Sequence, residues 1–128
     1  MYKTDDIGFE KIVSWAIDDL PKHYIDNLQN VAITIEDEPT TEQRYKQNLR
    51  PHQTLFGLYE GVPRTKRGNG YNLVVPDCIT IFKKPIEASS SSVLDLMKRV
   101  RNTVWHEIAH HYGLDHQRIH ELEQRKLT

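Results

Sequence analysis

The sequence predicts a small α+β domain, and three observations predict it. Apolar residues recur at helical spacing towards both ends of the chain, over residues 5–20 and 93–112. Between them lie short runs rich in β-branched and aromatic residues, at 31–36, 55–60 and 78–82, separated by proline, glycine and acidic residues. The length of 128 residues, with 38% hydrophobic and 27% charged, suits one globular domain with a modest core, spanning residues 1–128.

The first helix is expected over residues 5–20. Thr4 is placed to cap it, Asp5 and Asp6 favour its positive end, and Ile7, Phe9, Ile12, Val13, Ala16, Ile17 and Leu20 form a wide apolar face. Pro21 breaks it, and residues 21–28 restart as a short helix with Pro21 at its first position. Trp15 and Tyr24 read as packing residues, and His23 as a surface residue.

Residues 31–36 alternate as a strand does, and Glu36-Asp37-Glu38 before Pro39 reads as a solvated turn. Residues 40–50 are polar and basic, a loop or short helix, and His52 is expected at the surface. A second strand covers 55–60, in which Gly57 points to a bulge or a close backbone approach. Residues 64–70 (RTKRGNG) read as a basic loop, residues 71–75 as a short strand, and residues 78–82 as a firmer one. Cys78, the single cysteine, reads as a core thiol.

Ser92 with Asp95 three residues on resembles a capping box that starts the long helix over 93–112. Val93, Met97, Val100, Val104 and Ile108 fall in one stripe assigned to the core. His106 and His110 fall roughly opposite it, with Arg99 and Thr103 on their side. Residues 116–127 are helix-like but polar.

The chemistry lies at the end of that helix, in His106-Glu107-Ile108-Ala109-His110-His111-Tyr112-Gly113-Leu114-Asp115-His116. A helix turns about 100° per residue, so His106 and His110 stand one turn apart on one face. Imidazoles so placed bind one Zn²⁺ at about 2.0–2.1 Å each, with Glu107 beside them to deprotonate water. Gly113 tolerates positive φ and ends the helix, so that the chain doubles back and offers His116 as a third ligand. Three protein ligands and an open position mark a catalytic rather than a structural zinc site.

A bare H-E-x-x-H also arises by chance on surface helices. Here a Gly and a third His follow at the right spacing, and five of the seven histidines lie between 106 and 120. His111 points about 100° away from His110 and reads as a buried or surface histidine. Asp115 and His120 are alternative candidates to complete the metal site.

Bulk properties narrow the partners. The formal net charge of −1 and a pI near 6.6 give no reason to expect a nucleic acid or a membrane surface. No apolar run approaches the ~18 residues of a membrane span. The charged N-terminal stretch does not resemble a signal peptide, and a single cysteine excludes an intrachain disulfide. A cytoplasmic location is expected.

Three segments together resemble a known family. They are Gly57-Leu58-Tyr59-Glu60-Gly61-Val62-Pro63, then Pro76-Asp77-Cys78-Ile79-Thr80-Ile81, then Thr103-Val104-Trp105-His106-Glu107-Ile108-Ala109-His110-His111-Tyr112-Gly113, with Arg118-Ile119-His120-Glu121-Leu122 fitting downstream. This pattern resembles the small bacterial minimal zincins, the zincin-like metallopeptidase family, over most of residues 50–122. The resemblance implies a zincin-like domain in which a small mixed sheet packs against the active-site helix, together with the N-terminal helix. It also implies a metal at His106 and His110 and a general base at Glu107. Many relatives carry Asp where this chain has His116, which changes the third ligand from oxygen to nitrogen. The His116 pattern is also similar to the metzincins, but no Met follows Gly113 to supply their Met-turn.

The resemblance implies a zinc-dependent peptidase acting on a flexible peptide or an unfolded-protein segment. Arg99, Tyr59 and Tyr112 are candidate oxyanion donors, and Asp115 and Glu121 could orient an imidazole. Two other readings stand beside it. The bacterial ribosomal-RNA maturation endonucleases carry H-G-x-x-H-x-x-G-x-D-H, which Asp115-His116 match and Glu107 does not, with residues 64–67 as the only phosphate contact. A metal-binding module without catalysis is the other, and a fourth tight ligand such as His120 would favour it.

Overall fold

The computed structural model describes residues 1–28, 30–61, 77–114, 117, 118 and 121. In chain order these form α1 (Asp6–Asp18), α2 (Lys22–Asp26), β1 (Val31–Glu36), α3 (Thr41–Lys46), β2 (Gly57–Glu60), β3 (Asp77–Phe82), α4 (Lys83–Ser89) and α5 (Val93–His111). The α+β class and the mixed sheet agree with expectation. The loop expected at 64–70, the strand at 71–75 and most of the segment 116–127 lie outside the described residues.

Asp5, rather than Thr4, caps α1: its carboxylate accepts from the Gly8 amide at 2.7 Å and satisfies a donor that the first turn leaves open. Thr4 instead donates its amide to the Glu87 carboxylate at 2.7 Å, which fastens the N-terminal segment to α4. Phe9, Val13 and Ala16 of α1 are buried, and α1 packs along α5. At its far end the Arg101 Nε donates to Asp19 at 2.6 Å, which holds the two helices in register. Trp15 departs from its expected role, being 38% exposed because α1 turns only its Phe9, Val13 and Ala16 side to the core. Pro21 sits at the N-cap of α2 rather than within its first turn. The polar stretch after β1 is a helix, α3, because Thr40 and Gln43 form a reciprocal capping box.

The strand order is β1-β3-β2. β1 runs parallel to β3, with Ile33 opposite Ile79 and Ile35 opposite Ile81. β2 runs antiparallel, with Tyr59 opposite Ile79. The alternation of the strands sends Ile79 and Ile81 into one core with Leu96, Val100, Val104, Trp105 and Ile108 of α5. Cys78 points to the other face, where it is half-buried beside Thr34 and Thr80, so it is not a core thiol. The short α4, Pro85 included, carried no helical period in the sequence.

α5 starts as expected, with Ser92 Oγ accepting from the Asp95 amide. The return bond differs, because the Asp95 carboxylate takes the amide and hydroxyl of Ser91. The core row on α5 is Leu96, Val100, Val104 and Ile108, whereas Val93 is 43% exposed and Met97 only half-buried. The first turn of α5 overhangs the core, so burial begins at its second.

Candidate metal centre

His106, Glu107 and His110 converge. One ligand atom from each lies within 4.8 Å of the others, as their spacing on one helical turn requires. The two imidazole rings stand 4.5 Å apart at 71°. Both histidines are half-buried, whereas Glu107 is buried. Glu107 Oε1 lies 3.2 Å from His110 Nδ1. That hydrogen bond raises the His110 pKa above the ordinary imidazole value, against the opposing effect of burial. Two imidazole nitrogens and a carboxylate oxygen form a donor set that suits zinc.

The centre opens on a cleft of roughly 480 Å³. One wall is α5, through Arg99, Asn102, Thr103, His106 and Glu107, and the other is the chain at residues 54–57. Leu55 and Phe56, expected inside the second strand, precede it and supply the apolar part of the cleft instead. Gly57 makes a close approach rather than a bulge. A Cβ there would stand 2.6 Å from Thr103 Cγ2 and 3.2 Å from Glu107 Cγ, so only glycine lets β2 lie this near the helix.

The helix ends as Gly113 predicts. Its φ is 75°, its amide donates to the His110 carbonyl, and the Leu114 amide donates to the Ala109 carbonyl. This pair of bonds is a Schellman closure, and Leu114 packs back on the core. His116, Asp115 and His120, the candidates to complete the metal site, lie outside the described residues. Of the two residues expected to orient an imidazole, Glu121 faces Arg118 at 3.4 Å.

His111 is fully buried, and its Nδ1 lies 3.3 Å from the Asp77 carboxylate. The same Asp77 oxygen accepts from the Tyr59 hydroxyl at 2.6 Å. Asp77 thus ties β2, β3 and the last turn of α5 together. Sequence reasoning missed this role, because nothing local marks a carboxylate whose partners come from other elements. Tyr59 is therefore engaged away from the cleft, and the Tyr112 hydroxyl donates to the Tyr24 carbonyl. Of the three oxyanion candidates only Arg99 lines the cleft, and it lies two helical turns from His106.

A search of curated proteins finds no match to this chain. The family profile for zincin-like metallopeptidases matches residues 28–126, which includes every strand, the cleft and α5. With that match over most of its length, the chain belongs to the zincin-like metallopeptidase family, whose members imply a bound metal.

Proposed function

We propose that the protein is a zinc-dependent peptidase, folded as one domain over residues 1–128, that cuts flexible peptides or unfolded segments. The convergence of His106, Glu107 and His110 on the wall of an open cleft carries this reading. In it His106 and His110 hold the metal, His116 is the third protein ligand, and Glu107 is the general base. Zinc at this centre supplies a Lewis acid for the scissile carbonyl and makes the attacking water more acidic. A Glu107 carboxylate oxygen takes the water's proton and passes it to the nitrogen of the leaving amine. Burial of Glu107 strengthens its coupling to the adjacent imidazole and keeps competing water away.

Among the described residues β2 is an edge strand. A peptide adds to it as a further strand, with Leu55 and Phe56 receiving side chains. Such a mode accepts an extended segment and excludes a folded one. No helix among the described residues is long and apolar enough to cross a membrane. The lone Cys78 suits a reducing compartment, and we place the protein in the cytoplasm.

The test pairs metal content with activity in wild type and Glu107→Gln. Both are expected to bind zinc, and the variant to lose roughly 10²–10⁴-fold in peptide cleavage. Structured RNA in a parallel assay is expected to stay intact. Zinc in both proteins with peptide cut by neither would overturn the peptidase reading.

A further inference from the structure

Arg99 and His106 lie seven residues apart on α5, two turns along one face, and line the same cleft with Asn102 and Thr103 between them. At 1.5 Å per residue they are separated by about 10 Å along the helix axis. Among the described residues the one ionic partner of Arg99 is Asp95, whose Oδ1 stands 3.3 Å from the Arg99 Nε. That nitrogen is buried and makes no aligned hydrogen bond. Asp95 lies one turn back and does not line the cleft. Its other oxygen is committed to Ser91 at the helix start. Asp95 therefore holds the stem of Arg99 from behind. The guanidinium is a fixed cation at one end of a largely apolar cleft, and the candidate metal centre is at the other.

A guanidinium in such a setting is matched by a carboxylate, which it binds through paired charge-assisted hydrogen bonds. The direction of a bound peptide follows from the strand beside it. β2 begins with Gly57 against Thr103 and Glu107 and continues to Tyr59 against the His111 ring, so it runs the same way as α5. A peptide added antiparallel, the commoner pairing, runs the other way and carries its C-terminal side towards Arg99. Extended residues advance about 3.4 Å each, so about 10 Å spans roughly three of them.

We propose that Arg99 is a specificity subsite for a substrate carboxylate three or four residues to the C-terminal side of the scissile bond. That carboxylate is either an acidic side chain or the C-terminus of the peptide itself. The position of the scissile bond rests on the peptidase reading, whereas the affinity for the carboxylate rests on Arg99 alone.

The experiment measures binding and cleavage separately. Zinc-loaded Glu107→Gln is titrated with fluorescent peptides that differ only in a free or amidated C-terminus, or in Glu against Gln at the third or fourth downstream position. Each titration is repeated with Arg99→Gln and Arg99→Lys in the same background, and wild type is assayed for cleavage of the same peptides. The carboxylate peptides are expected to bind about 10-fold more tightly than their neutral counterparts. Arg99→Gln is expected to abolish that difference, and Arg99→Lys to retain part of it. Whichever of the two pairs shows the difference identifies the source of the carboxylate. Equal affinities, a preference that survives Arg99→Gln, or a preference confined to the N-terminal side would overturn the subsite. Cleavage by wild type without regard to charge would overturn it too and leave the peptidase reading standing. Failure to cut any peptide would overturn the peptidase reading, and with it the position assigned to the carboxylate.

Discussion

His111 Nδ1 lies 3.3 Å from Asp77 Oδ2, and both side chains are closed to solvent. His111 directly follows His110, so this contact pins the last turn of α5 to the first residue of β3. Tyr59 adds a second donor to the same carboxylate oxygen. Asp77→Ala strands two buried donors, each costing about 1–3 kcal/mol. We expect that variant to lose about 3 kcal/mol or more in urea unfolding and to bind zinc more weakly. Tyr59→Phe removes one donor but leaves the His111 contact, at a cost of about 1 kcal/mol. Equal losses for the two variants would show that the His111 contact carries no weight.

Gly57 and Thr103 form a steric pair. An added Cβ would stand 2.6 Å from Thr103 Cγ2, so Gly57→Ala forces β2 away from α5 at a cost of about 1–3 kcal/mol. Thr103→Ser deletes that methyl and keeps the hydroxyl that donates to the Arg99 carbonyl. The double variant should recover part of the loss, as a double-mutant cycle in thermal unfolding would show. Strict additivity would mean that the clash is not the cause.

Zinc should stabilise the fold through the centre. Ligand at 100 times its dissociation constant adds about 2.7 kcal/mol to a protein that binds it only when folded. Wild type is expected to melt at a higher temperature when zinc is added, and His106→Ala and His110→Ala to lose most of that increase. A full increase in both variants would place the metal elsewhere.

The pH response on the acid side involves the first turn of α1. The Lys83 ammonium, 2.7 Å from Asp6, holds the Asp6 carboxyl below its ordinary value, first by hydrogen bonding and then by charge. A depressed carboxyl adds stability above its unfolded pKa, near 3.8, and that contribution is lost as pH falls through the lower folded value. Asp6 is largely exposed, so the effect is small and weakens in salt. Melting curves of wild type and Asp6→Asn should therefore differ slightly near neutral pH and converge below about pH 3. Curves that stay parallel down to pH 2 would contradict the assignment.

Legibility in the sequence followed the range of the interactions. Strand β1 was evident from alternation alone, and the end of α5 from Gly113, since both depend on near neighbours. Leu55 and Phe56 were misassigned because an apolar run reads as strand whether it pairs or lines a cleft. Val93 and Met97 matched the period of the core stripe, yet only the packing of neighbouring elements decides where along a helix burial begins.

The sequence by itself determined the convergence of His106, Glu107 and His110, because helix geometry places residues one, three and four positions apart without help from the rest of the chain. It also put Arg99 on their side of the helix. Only the tertiary structure decided that Asp77, 34 residues before His111, and Tyr59, 18 before Asp77, would meet beneath the last turn of α5. It alone made Gly57 the point where β2 touches that helix. Contacts of that range are set by how sheet and helix pack, and no local period in the chain encodes them.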